Sequence, residues 1–147
     1  MPCLALISRT AWSVPIYPES LMVQKYFTHI LYITGIATMA PLLQYFFPQG
    51  VLALSGLKVG DAVGLIFAQQ AGLLIFCIGA LLVYAARHPL HRRPAVWAAL
   101  VEKLGFCTLI VLAWNAPALQ GLRPVVFFDM LCVVLYSVYL FGPGQQA

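Results

Sequence analysis

The chain has four acidic residues in 147, and two of them fall inside long apolar runs. Glu102 is followed directly by Lys103 in the run from Ala95 to Trp114, and Asp129 stands in the run from Leu122 to Phe141. A charged side chain at the centre of a membrane-spanning helix costs about 2.5–3.5 kcal/mol on insertion scales. Such residues pair with one another, line a pathway for protons or ions, or hold a ligand. His29, in the first apolar run, and Tyr136, seven residues beyond Asp129, complete the set of side chains able to move a proton or bind a polar group.

Depth arithmetic decides which of these can meet. Glu102 lies eight residues past Pro94, so about 12 Å above the end at which its helix enters, and Lys103 about 13–14 Å, at ~1.5 Å per residue. Asp129 enters from the opposite side and lies ~10 Å below that end. In a hydrocarbon core ~30 Å thick, the Lys103 and Asp129 backbones differ by only ~6 Å in depth. The expectation is a structural ion pair, Lys103–Asp129, that registers two helices. Lys103 stands about 100° from Glu102 around the helix. Ala95, Ala98, Ala99, Gly105, Phe106 and Leu109 cluster around Glu102 on the wheel. Small residues pack against helices, so Glu102 is expected to face the bundle rather than lipid. With His29 and Tyr136 it forms a candidate intramembrane polar site.

The elements that must position these residues follow from composition. Hydrophobic residues make up 63% of the chain and charged ones 8%, with a mean hydropathy of +0.93. Soluble domains carry about 25% charged residues, so the chain reads as an integral membrane protein. The net charge of +4 is not a nucleic-acid signature, because the longest basic run is Arg92-Arg93. Four spans are expected, at about 25–47, 62–86, 94–114 and 122–141, making an all-α four-helix bundle. Pro41 should kink the first span. Val51 to Leu57 is too short to cross and belongs to an outer connection. Asp61 is placed to cap the second span. Gly64, Ala68, Gly72 and Gly79, with Gly105 in the third span, are expected to let helices approach closely. Gln69 and Gln70 either bond across helices or mark the outer interface.

Arg87-His-Pro-Leu-His-Arg-Arg-Pro94 is the densest basic segment. By the positive-inside rule it is cytoplasmic, which puts both termini on the cytoplasmic side. His88 and His91 have the spacing of a weak metal pair, but read better as solvated headgroup-level residues. Residues 1–24 read as an N-terminal arm, since Pro15 and Pro18 oppose one continuous helix. The alternative is an upstream extension, with Met22 as the natural start. No small-x-small cleavage site follows an apolar core, so a cleaved signal is not expected. Residues 142–147 form a tail.

Cys3, Cys77, Cys107 and Cys132 lack the spacing of a zinc framework and read as packing residues. No metal and no cofactor is predicted. GxSxG, P-loop and HExxH patterns are missing from the sequence.

The stretches QQAGLLIFCIGALLVYAARHP, VEKLGF and FDMLCVVLYSVYL, within residues 62–141, resemble small bacterial four-helix membrane proteins on the scale of the DoxX-like group. The first span, KYFTHILYITGIATMAP, lacks the opening Arg and Gly-rich run of that group. The resemblance implies a four-helix bundle in a bacterial inner membrane and no defined chemistry.

Three functional readings follow. The first is a non-catalytic accessory or scaffold subunit, whose partners are the bilayer and other membrane subunits or further copies of itself. The second is a proton-coupled carrier, or a bundle binding a lipid- or quinone-like molecule, using Glu102, Asp129 and His29. The third is a haem- or quinone-linked redox protein, for which His29 is the one clear intramembrane axial candidate.

Overall fold

A computed structural model describes residues 18–142, with side chains from residue 26 onward. Residues 1–17 of the expected arm and 143–147 of the tail lie outside the described residues. Among the described residues every regular element is helical: α1 (Pro18–Met39), α2 (Leu42–Phe46), α3 (Pro48–Leu54), α4 (Ala62–Arg87), α5 (Arg92–Leu112) and α6 (Arg123–Phe141). Short 3-10 turns at Pro89–His91 and Pro117–Leu122 lead into α5 and α6. Four stretches are long and apolar enough to cross a membrane: Tyr26–Phe46, Ala62–Arg87, Pro89–Leu112 and Pro117–Phe141.

The apolar span Tyr26–Phe46 falls within the expected 25–47, and the helix that carries it begins earlier, at Pro18. Proline lacks only an N–H that the first turn leaves unused, so it opens a helix well. Pro41 does more than kink the span. The helix stops at Met39 and restarts at Leu42, since proline removes a ladder hydrogen bond and its ring clashes with the preceding turn. Side chains from α2, just past the break, and from α4 tie the two together. Gln44 Nε2 donates to the Ala68 carbonyl at 2.6 Å, and Gln69 Nε2 donates to the Tyr45 carbonyl at 2.9 Å. In hydrocarbon no water replaces such bonds, so amide side chains at a helix break are where the physics wants them.

α1 packs most extensively on α4, and α5 on α6. The α1–α4 seam closes through glycines. A Cβ on Gly79 would stand 2.7 Å from the Gly35 carbonyl oxygen and 2.8 Å from Met39 N, and one on Gly72 would stand 2.6 Å from the Pro41 carbonyl oxygen. Gly79→Val is therefore expected to destabilise the fold by about 1–3 kcal/mol through overpacking. Denaturant unfolding of the purified variant checks this. A midpoint equal to that of the parent would show that the two helices do not approach this closely.

Two of the expected packing glycines act otherwise. A Cβ on Gly64 would meet Val59 and Asp61 of its own N-terminal turn, where Asp61 caps α4 by accepting from Gly64 N at 3.0 Å. A Cβ on Gly105 meets nothing within 4 Å, so Gly105 lies on an open face.

α6 closes the bundle onto α1. Phe27 stacks on Tyr139, and the buried Tyr136 donates its hydroxyl to Thr34 Oγ1 at 2.7 Å. The core joins Phe27 and Leu31 of α1, Leu82 and Ala86 of α4, Val96, Ala99 and Leu100 of α5, and Cys132, Val133, Tyr136 and Leu140 of α6. The large apolar side chains outside this seam, such as Ile33, Phe67, Val101 and Phe127, are exposed, as a lipid-facing surface requires.

Candidate functional site

The residues buried along α5 are Arg92, Ala95, Val96, Ala99, Leu100, Lys103, Cys107 and Ile110. They recur at helical spacing and define the face turned to the rest of the bundle. Lys103 lies in the middle of it, 2% exposed, and its Nζ meets Asp129 Oδ1 of α6, itself 5% exposed. The ammonium also stands 5.6 Å from the centre of the Phe128 ring. Apart from the Glu102 carboxyl, 4.0 Å from Lys103 Nζ, the wall around this pair is apolar. Cys107 points its thiol toward the Val126 carbonyl at 3.8 Å, and Cys107, Ile110 and Val126 pack together. A buried pair in low dielectric is held by direct charge contact, and neither partner can leave without stranding the other.

Glu102 is the correction. It was expected on the inward face among small residues, and of those neighbours only Ala95 and Ala99 are buried. Ala98 and Phe106 are half-buried, while Gly105 and Leu109 are exposed. The rotation of α5 explains this. Burying Lys103 against Asp129 governs the helix's orientation, and Glu102, about 100° around, is carried to the rim. Its side chain is 24% exposed, and its Oε2 is buried without a hydrogen bond. The nearest counter-charge is Lys103 Nζ, 4.0 Å from Oε2 and already engaged by Asp129.

Among the described residues no hydrogen bond joins Glu102 to Tyr136 of the expected polar site. Tyr136 spends its hydroxyl on Thr34, whose own hydroxyl donates to the Ile30 carbonyl at 2.8 Å. His29 is exposed on α1. A second polar atom is left over inside: Thr38 Oγ1 is buried with no hydrogen bond, one helical turn beyond Thr34. Neither Thr34 nor Thr38 was singled out from the sequence. Their spacing from Leu31, three and seven residues, is the signal that places both on the inward face.

The α4–α5 end holds a residue that composition alone counts as a loop cation. Arg92 is 6% exposed. Its Nε donates to the Ala85 carbonyl at 3.1 Å, and Nη2 donates to the Ala86 carbonyl at 2.9 Å and to Thr28 Oγ1 at 2.8 Å. One guanidinium thus caps the end of α4 and ties it to α1 while its own backbone starts α5. Arg87 donates to the Tyr32 hydroxyl beside it. His88 stacks on Tyr84, with ring centres 4.0 Å apart, and both His88 and His91 are exposed. Among the described residues no group of three or more His, Cys, Asp and Glu is placed to hold a metal ion. At the opposite end Arg123 lies over the Trp114 ring, 4.7 Å from its centre, and donates to the Trp114 carbonyl.

Comparison with family models, with curated proteins and with solved structures finds no match for this chain.

Proposed function

We propose that this chain is a non-catalytic integral membrane protein that serves as a small accessory or scaffold subunit, assembling with other membrane subunits or with itself. The observation that carries the reading is the closed Lys103–Asp129 pair. The one buried ammonium in the spans is consumed in holding α5 to α6, which is the work of a rigid packing element. The outward apolar side chains of the four long helices supply lateral surface to lipid and neighbours. Arg87, Arg92 and Arg93 gather at the α4–α5 end, so this end is cytoplasmic and both termini lie on its side. A bacterial inner membrane is the setting that the DoxX-like resemblance supports. The reading calls for no cofactor and no nucleic acid.

The test is the mass of the protein solubilised in mild detergent. An assembly heavier than the 16.1 kDa chain is expected. A single-chain particle that carries protons across vesicles would sink the reading.

A second reading has one observation in its favour. Glu102 Oε2, buried without a hydrogen bond, suits a proton-coupled carrier or a binder of lipid- or quinone-like molecules using Glu102, Asp129 and His29. Proton flux in vesicles that Glu102→Gln abolishes, with the fold intact, would favour it over the first.

A further inference from the structure

We propose that the α4–α5 end carries a binding site for the phosphodiester headgroup of an anionic phospholipid, built on Arg87 and Tyr32. The site goes beyond the subunit reading and stands whichever partners the chain has. It starts from an unanswered charge. Both ion pairs among the described residues belong to Lys103. Arg87 closes the span Ala62–Arg87 and is exposed, with no carboxylate paired to it among the described residues. The described acids lie elsewhere. Asp61 caps the opposite end of α4, and Glu102 and Asp129 stand inside the spans. A guanidinium at the end of a span is thus open to a counter-charge from the headgroup layer.

Its orientation is already set. Arg87 Nε donates to the Tyr32 hydroxyl of α1, and the guanidinium carbon stands 5.7 Å from the centre of the Tyr32 ring. That bond leaves the Nη donors of the fork unused. The Tyr32 oxygen accepts from Arg87, so its own O–H is left to donate. A phosphodiester shares one negative charge between its non-bridging oxygens, and a planar fork beside a hydroxyl matches that geometry. The negative end of the α4 dipole would by itself oppose an anion here. Arg92 offsets it: the guanidinium is 6% exposed and covers the Ala85 and Ala86 carbonyls. Exposed Arg93 adds further positive charge at the same end.

The flank below favours a lipid over free phosphate. Leu74, Cys77, Leu81 and Tyr84 recur at three- and four-residue spacing on α4 and are all exposed, a strip that leads up to Arg87 and His88. An acyl chain lies along such a strip while its headgroup meets the arginine. Tyr84 stands at the top of the strip, where amphipathic rings mark the membrane interface. His88 stacks on it with ring centres 4.0 Å apart, and the His91 ring is 5.7 Å from the same tyrosine.

The experiment uses the full chain in mild detergent and reads bound lipid by native mass spectrometry. It is titrated with phosphatidylglycerol and, separately, with phosphatidylcholine of the same acyl chains. The parent is expected to prefer phosphatidylglycerol by roughly fivefold, the scale of one basic residue at a membrane surface. Arg87→Gln should bring the preference close to one. Arg87→Lys keeps the charge and Tyr32→Phe keeps every charge, yet each should lower the preference by roughly twofold, because the fork or its orienting hydroxyl is gone. Arg93→Gln should change it little, and a large excess of inorganic phosphate should displace no phosphatidylglycerol. Circular dichroism confirms that each variant keeps its helix content. A parent without preference overturns the site. So do equal losses in Arg87→Gln and Arg93→Gln, or full preference in both Arg87→Lys and Tyr32→Phe, since these mark a general attraction to a positive end. Displacement by inorganic phosphate overturns the lipid as occupant.

Discussion

Replacing Lys103 with Met is expected to cost about 3–5 kcal/mol, the largest single loss in this fold. The magnitude follows from what is left behind. Lys103 is 2% exposed and is the cation for two carboxyls, Asp129 in direct contact and Glu102 at 4.0 Å. Without it, both acids sit within one apolar layer and repel each other. Asp129→Asn should cost less than Lys103→Met, because the ammonium keeps Glu102 within reach. The exchange Lys103→Asp with Asp129→Lys puts the same charges in the same layer and should recover part of the loss. Unfolding of the parent, Lys103→Asp, Asp129→Lys and the exchange in mixed detergent micelles gives the coupling energy as a double-mutant cycle. A coupling near zero would mean that the contact does not hold α5 to α6.

The same pair explains which features of the site were legible in the sequence. Depth counting needs only the rise of a helix and the thickness of a bilayer. It brings Lys103 and Asp129 within reach of each other, and the two side chains meet. The rotation of a helix about its own axis is a different matter. Small residues around Glu102 suggested an inward face, and a wheel has no term for a competing demand one position along. Lys103 can reach the Asp129 carboxylate only within the α5–α6 seam, and that pairing outweighs the packing of Ala98 and Gly105, so α5 turns Lys103 in and Glu102 to the rim. The α1–α4 seam was half-legible for a related reason. Gly72 and Gly79 stand out as small residues on one face of α4, but the surfaces they meet, the Pro41 carbonyl and Gly35, belong to another helix. Register between helices is set by the fit of both surfaces, which one helix's periodicity cannot supply. Pro41 was legible as a disturbance. Whether it bends or breaks the helix depends on Gln44 and Gln69 finding carbonyls across the seam.

Arg92→Ala is expected to cost about 3 kcal/mol, whereas Arg93→Ala, one residue on, should stay within about 0.5 kcal/mol. The contrast tests whether a residue counted as part of a basic loop is in fact a staple. Arg93 is exposed, and its charge is available to water and lipid headgroups. Arg92 is 6% exposed and makes three donor contacts, two to the last carbonyls of α4 and one to Thr28 of α1. Those carbonyls belong to the final turn of α4, where the helix runs out of N–H donors; Ala85 receives only a long bond from His88 N, at 3.3 Å. Their partial negative charge also favours a cation there. Alanine leaves the two carbonyls and the Thr28 hydroxyl without this partner and removes the tie between α4 and α1. Lysine should recover less than half of the loss, because a compact ammonium cannot reproduce the planar fork that reaches two helices at once. Hydrogen exchange locates the damage: amides at the start of α5 and in the turns of α1 around Thr28 should lose protection in Arg92→Ala before those near Lys103 do. If Arg92→Ala and Arg93→Ala prove equal in stability and in exchange, the guanidinium is only a surface charge, and the α4–α5 end is held by the Phe27–Tyr139 stack and the core around Val96 instead.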